Sequence, residues 1–146
     1  MNRPRVLIED WLPAQAIGVE CMREHQYMSP FPPHRQLHVW WARRPLTVSR
    51  AAVLASLLPA DFDRTVFERL LGFGVPSSEL VRIRAVRDTG VRVRGGFGCK
   101  RAFTNPLIAP DVDKAHQAMT EFWGELPTVI GPMSGGGSIP LESTRL

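Results

Sequence analysis

The sequence predicts a mostly α-helical N-terminal region that leads into the first strand, loop and helix of an α/β domain. Two observations support this fold class. Up to Trp123, most apolar side chains recur at helical spacing, in segments that proline and glycine interrupt. The run PTVIGP at residues 127–132 then predicts a short buried strand, followed by three consecutive glycines and the start of a helix. We expect two regions, 1–110 and 111–146, the second with an incomplete sheet.

Three helices are predicted before residue 73. The segment from Ile8 to Met28 predicts the first, with Asp10 as its cap and Pro13 in its first turn. A second follows Pro45 and runs to about Leu58, where the next proline stops it. The third is a short helix that ends at a glycine, Gly72, and either of two aspartates, Asp61 or Asp63, can cap it.

Two further helices are predicted after Gly72. One starts at Ser77 or Ser78 and continues to about Asp88, with a short strand expected at Val91–Val93. The alternation of apolar residues with arginine in this segment leaves a strand open as the alternative. The last is a clear helix with four inward-facing residues, capped by Asp111: Ala115, Met119, Phe122 and Trp123.

Composition and charge narrow the functional class. No apolar run approaches the ~18 residues of a membrane span, and the first residues lack a signal-peptide core, so we expect a cytoplasmic protein without a membrane partner. Two distant cysteines, Cys21 and Cys99, make no disulfide framework. The formal net charge is +4, and 16 of the 18 basic residues are arginine. Arginine suits phosphate groups, which indicates nucleic acid, although codon bias explains the same composition.

The densest basic stretch lies at residues 82–101. It offers Arg82, Arg84, Arg92 and Arg94 as candidate contacts to phosphate. A solvated helix face explains the same charges equally well.

The glycine loop at residues 131–138 has the strand–loop–helix context of a nucleotide site. The P-loop pattern fits poorly because Gly137 stands where that pattern requires lysine. The dinucleotide fingerprint fits poorly because Pro140 occupies the position of its third glycine.

The stretch GPMSGGGSIPLESTRL resembles the first motif of adenine-specific DNA methylases, D-P-x-x-G-G-G-[ST]-x-P-x-E. The one departure is Gly131, which stands where that family has an aspartate close to the methionine end of its cofactor. Pro140 also matches the motif. The resemblance implies that S-adenosylmethionine is the cofactor and that six residues bind it: Pro132, Gly135, Gly136, Gly137, Ser138 and Glu142.

The front of the chain resembles the N-terminal domain named domain of unknown function 1156. The matching residues are the W-L-P of Trp11, Leu12 and Pro13 and the W-W-A-R-R-P-L core at residues 40–46. In that family the domain precedes an adenine-specific DNA methylase that contains a zinc ribbon. The resemblance implies a fragment of such a methylase, truncated just after the cofactor motif, with DNA and the remainder of the methylase or a partner subunit as its partners. The sequence contains no Cys-x-x-Cys, so the zinc ribbon is not in this chain.

The W-W-A-R-R-P-L core has two interpretations. Trp40 and Trp41 beside Arg43 and Arg44 could stack on nucleic acid and clamp it. Alternatively, the tryptophans pack against the cofactor domain while the arginines bind carbonyls or carboxylates at a helix start.

We predict neither a metal site nor a catalytic residue. Cys21, His25, His34 and His38 have suitable spacing for zinc, but the prolines between them work against convergence. Amino-methyltransferases of this kind use an [DN]-P-P-[YFW] loop beside a flipped base, and the nearest match, Asn105-Pro106-Leu107, is interpreted as a turn.

The chain alone is therefore not expected to methylate DNA. The alternative is a non-enzymatic module that binds DNA or a partner and carries a degenerate glycine loop. The Gly131 departure favours this alternative.

Overall fold

The computed structural model describes residues 4–25, 44–93, 96–132 and 135–146. These residues form seven α-helices and one short 3-10 helix, and none of them belongs to a β-strand. The mostly helical prediction is confirmed. The helices are α1 (Leu7–Asp10), α2 (Ala14–His25), α3 (Leu46–Leu57), α4 (Arg64–Leu70), α5 (Ser77–Asp88), α6 (Ala109–Trp123) and α7 (Ser138–Arg145), with the 3-10 helix η1 at Ala102–Thr104.

Helix α3 lies at the centre of the molecule. It packs against α1, α2, α7 and η1. Leu54, Ala55 and Leu58 in and just after this helix are completely buried. The burial of such apolar side chains is the main source of stability, about 1.5–3 kcal/mol for each large one. Helix α3 thus connects the front of the chain with the helix that follows the glycine loop.

The first predicted helix is two helices in the structure. Helix α1 ends at Asp10, and α2 begins only at Ala14, whose backbone N–H donates to the Leu12 carbonyl. Pro13 has no N–H to continue a helix through this point. An isolated antiparallel bridge between Val6 and Pro59 fixes α1 beside the end of α3.

The short helix α4 forms as its sequence predicts. The Asp63 carboxylate accepts hydrogen bonds from the backbone N–H groups of Thr65 (2.8 Å) and Val66 (3.3 Å), which identifies Asp63 as the cap. The chain leaves the helix at Gly72, where φ is +84°. A Cβ at this position would lie 2.3 Å from the Ala102 carbonyl oxygen, so only glycine fits.

The predicted helix after Ser77 is also confirmed, but the expected strand at Val91–Val93 does not form. Helix α6 begins at Ala109, before Asp111, so the prediction that Asp111 caps it is wrong. Asp111 instead pairs with Arg69 of α4. Trp123 is 47 % exposed rather than inward, and its indole N–H donates to the Leu57 carbonyl at 2.7 Å.

Residues 127–132 form neither a helix nor a strand, and the run is not buried: Ile130 is 82 % exposed. A parallel strand is buried only when neighbouring strands and covering helices are present, and the described part of the chain supplies no other strand. The α/β interpretation of the second region therefore stays a prediction. Among the described residues, every helix is too short or too polar to cross a bilayer.

Candidate functional site

The glycine loop leads directly into helix α7. Gly135 and Gly137 have φ values of +54° and +76°, a conformation that glycine adopts without strain. Gly137 is the N-cap of α7, a place for which Ser138 was the predicted residue. Pro132 and Gly135 are exposed, and Gly136 and Gly137 are half-buried, so this backbone is open to a ligand. Residues 133 and 134 lie outside the described part.

Ser138 faces the protein rather than the loop. It is the first residue of α7, it is 4 % exposed, and its hydroxyl donates a 2.7 Å hydrogen bond to the Arg44 carbonyl. Arg44 lies two residues before Leu46, the first residue of α3. The hydrogen bond therefore ties the end of the glycine loop to the beginning of the central helix.

Glu142, one turn further along α7, is completely buried. Its Oε2 accepts a 2.5 Å hydrogen bond from Nε of Arg50, and its Oε1 accepts one of 2.9 Å from Arg145. Arg50 lies in the middle of α3 and is also completely buried. Both carboxylate oxygens of Glu142 therefore have partners within the chain.

The rest of the Arg50 guanidinium holds the end of helix α4. Its Nη1 donates to the carbonyl oxygens of Leu70 (3.3 Å) and Leu71 (3.4 Å). Its Nη2 has no hydrogen-bond partner among the described residues. One side chain of α3 thus joins α4 and α7.

A second buried carboxylate, Glu24 of α2, organises the start of α3. It accepts hydrogen bonds from the backbone N–H groups of Leu46 (3.0 Å) and Thr47 (3.4 Å). The local cap position is Pro45, whose side chain makes no capping bond. Glu24 thus caps α3 from another helix, a role that local sequence patterns do not reveal.

The predicted S-adenosylmethionine residues therefore divide into two groups. Pro132, Gly135, Gly136 and Gly137 remain accessible from solvent. Ser138 and Glu142 are buried, and they bond to Arg44 just before α3 and to Arg50 within it, respectively. All six residues lie close together, but the side chains of Ser138 and Glu142 already have hydrogen-bond partners within the protein.

Four of the eight predicted nucleic-acid residues belong to the described part of the chain: Arg44, Arg82, Arg84 and Arg92. Trp40, Trp41, Arg43 and Arg94 lie outside the described residues. Arg44 is exposed and lies beside α7, the helix that follows the glycine loop.

Arg82 and Arg84 on α5 are already ion-paired. Arg82 binds Glu79 through two hydrogen bonds of 2.8 and 2.6 Å, and Arg84 binds Asp88 at 2.8 Å. Arg92, just after α5, is exposed and pairs with none of the described carboxylates. The ion pairs weaken the case for Arg82 and Arg84 as phosphate contacts, because DNA would have to compete with a carboxylate for each.

Metal-ligating groups do not cluster in the described ranges. Burial, reinforced by the charge of Glu24, raises the pKa of the Cys21 thiol to about 11, so it stays protonated at neutral pH. Of the three partners considered for it, His34 and His38 lie outside these ranges. The third, His25, has its ring Nδ1 2.9 Å from the Cys21 carbonyl oxygen. Asn105 of the Asn-Pro-Leu sequence donates from its side-chain amide to the Gly72 carbonyl at 2.6 Å, and its backbone N–H donates to the Ala102 carbonyl three residues earlier at 3.2 Å.

The comparisons with known proteins concern the front half of this structure. Residues 11–70 match a family described as a protein of unknown function (DUF1156). The match supports the resemblance to the domain of unknown function 1156 over α2, α3 and α4. It ends well before the glycine loop. No curated protein and no solved structure matches the chain.

Proposed function

We propose that this chain is the N-terminal region of an S-adenosylmethionine-dependent, adenine-specific DNA methyltransferase. In this proposal, the helical domain holds the glycine loop against helix α3, and the loop binds the cofactor. The sequence contains no [DN]-P-P-[YFW] loop, so base recognition and methyl transfer need residues that it does not include. The chain alone binds cofactor without turnover.

The observation that carries the proposal is the anchored glycine turn. Gly137 in the left-handed conformation caps α7, and the first intrahelical bond runs from the Leu141 N–H to the Gly137 carbonyl. The N–H groups of Ser138 and Ile139 precede this bond, and the N-terminus of a helix favours carboxylate and hydroxyl ligands. S-adenosylmethionine offers both kinds of group in its amino-acid and ribose parts.

Isothermal titration calorimetry with S-adenosylmethionine tests the proposal. We expect micromolar binding by the wild-type chain and at least a tenfold loss in the variant G137A, because a side chain at φ +76° disfavours the turn. The matched control is G90A. Gly90 has φ +82° with open space around it, as Gly137 has, but it lies at the end of α5.

Three outcomes contradict the proposal. A folded wild-type chain that gives no heat with S-adenosylmethionine excludes a cofactor site. Equal losses in G137A and G90A show a general effect of backbone strain. Tighter binding of ATP or NADH than of S-adenosylmethionine assigns the glycine loop to another class of nucleotide site.

A non-enzymatic binding module is the second candidate. Two observations favour it. Gly131 stands where the methylase motif has aspartate, and the side chains of Ser138 and Glu142 are already hydrogen-bonded within the chain. This module binds DNA or a partner subunit and not the cofactor. The calorimetry separates the two candidates, because only the first gives binding of S-adenosylmethionine.

A further inference from the structure

Three exposed basic side chains in the last turn of α5 and in the connection from α5 to η1 have no carboxylate partner in the described part of the chain: Arg87, Arg92 and Lys100. Residues 82–101 contain seven basic residues and one acidic residue, Asp88, which is paired with Arg84. Positive charge therefore remains uncompensated on this connection, whereas it is neutralised on the neighbouring face of α5.

The connection is fixed against the helical domain at Phe97. The guanidinium of Arg87 lies 5.0 Å from the centre of the Phe97 ring, and that of Arg23 lies 4.4 Å from it. Arg23 also donates to the Cys99 carbonyl at 2.8 Å. Residues 97–99 are thus held between α2 and the last turn of α5.

This anchoring places Arg87 and Lys100 near each other. Arg87 touches Phe97, and Lys100 follows Phe97 by three residues, which span at most about 10 Å of extended chain. Arg92 lies between them in the chain, after the turn at Gly90. Because residues 97–99 are held in place, little conformational freedom of this segment is lost when an anion binds beside it.

We propose that Arg87, Arg92 and Lys100, here called the Arg87 surface, bind the phosphate backbone of duplex DNA. The inference rests on the proposed function, since DNA is the substrate of that function. It assigns the contact to residues different from the paired Arg82 and Arg84. Phosphate is the fitting partner because unpaired guanidinium groups donate to it bidentately. Backbone contacts of this kind position a protein on DNA without reading its sequence.

The test is fluorescence anisotropy with the whole chain and a labelled 20-base-pair duplex in increasing salt. Three phosphate contacts give a slope of about −2.7 for the logarithm of the binding constant against that of the salt concentration, which is about 40-fold weaker binding at 200 than at 50 mM. The variant R87Q/R92Q/K100Q should lose most of this slope and at least tenfold in affinity at 50 mM salt.

The matched control removes the same charge from paired positions. R64Q/R82Q/R84Q also loses three positive charges, but each of these arginines is bound to a carboxylate. We expect its affinity for DNA to change less than threefold. Circular dichroism and the thermal midpoint establish that both variants are folded.

Equal loss of DNA binding in the two variants overturns the proposal, because it shows a response to net charge alone. Binding to phosphatidylserine vesicles as tightly as to DNA also overturns it. S-adenosylmethionine titration of the same triple variant separates this inference from the cofactor proposal. Unchanged cofactor binding with lost DNA binding supports both, and DNA binding through the Arg87 surface without any cofactor binding supports this inference alone.

Discussion

Arg50 and Glu142 form an ion pair in which neither side chain is accessible to solvent, although 92 residues separate them in the sequence. The arginine belongs to the segment that matches the family of unknown function, and the glutamate belongs to the glycine motif. The pair therefore joins the two parts of the sequence on which the functional proposal depends.

Removal of one partner of this pair should be strongly destabilising. A buried charge without a counter-charge costs about 3–5 kcal/mol, so E142L should lower the free energy of unfolding by that amount. The double variant R50M/E142L should cost less than E142L, because no buried charge is left alone. Urea unfolding measures both.

The surface pair of Glu79 and Arg82 provides the control for these variants. Both of its members are more than one-third exposed, and E79Q should leave the urea midpoint nearly unchanged. A double variant of the buried pair that is less stable than E142L would show that Arg50 acts mainly through the Leu70 and Leu71 carbonyls.

Glu24 should be a determinant of where α3 begins. Loss of its carboxylate leaves the Leu46 and Thr47 N–H groups buried without this acceptor, so E24A should lower stability by about 2 kcal/mol. Hydrogen exchange measured by NMR should accelerate at Leu46 and Thr47 more than at Leu54 in the same helix.

The variant E125A serves as the comparison, since Glu125 is exposed beyond the end of α6. This variant should change neither the midpoint of urea unfolding nor the amide hydrogen exchange rates in α3. Uniform acceleration throughout α3 in E24A would indicate global destabilisation and would contradict the capping role.

The Asp111–Arg69 pair should make stability depend on acid pH. Arg69 donates two hydrogen bonds of 2.8 Å, which lower the pKa of the Asp111 carboxyl, while burial opposes the shift. Because the folded-state pKa lies below the unfolded value of about 3.9, the pair stabilises the fold above that pH, and its contribution is lost as pH falls through the lowered pKa.

Thermal unfolding of wild type and D111N between pH 7 and 2.5 measures this contribution. The difference between their midpoints should be largest near neutral pH and should shrink below about pH 4. D113N, a change at an exposed position on the same helix, should follow wild type throughout. A difference that grows on acidification would be inconsistent with the ion pair.

Local chemistry made much of the fold predictable. Asp63 acts through the Thr65 and Val66 N–H groups, so the neighbouring sequence contains the whole cause of this cap. At Gly72 the left-handed turn is local, but the Ala102 carbonyl that excludes a side chain there is distant in the sequence. The helix from Ser77 to Asp88 was also predicted from neighbouring residues, even though alternating arginines also suggested a strand.

The rest depends on partners distant in the sequence. Aspartate often caps helices, but the Asp111 carboxylate forms an ion pair with Arg69 of another helix. The apolar run at Val129 and Ile130 predicts a buried strand, yet burial requires neighbours that the described residues do not supply. The glycine loop was located from its motif, whereas the buried roles of Ser138 and Glu142 became visible only in three dimensions.

The hydrogen bond between Ser138 and the Arg44 carbonyl, together with the Arg50–Glu142 pair, has a consequence for how related sequences can diverge. Loss of either partner leaves the other as an unpaired buried charge, so arginine at position 50 and glutamate at position 142 should be conserved together in related sequences. A fusion of the glycine motif to another helical domain should therefore require an arginine equivalent to Arg50 in that domain.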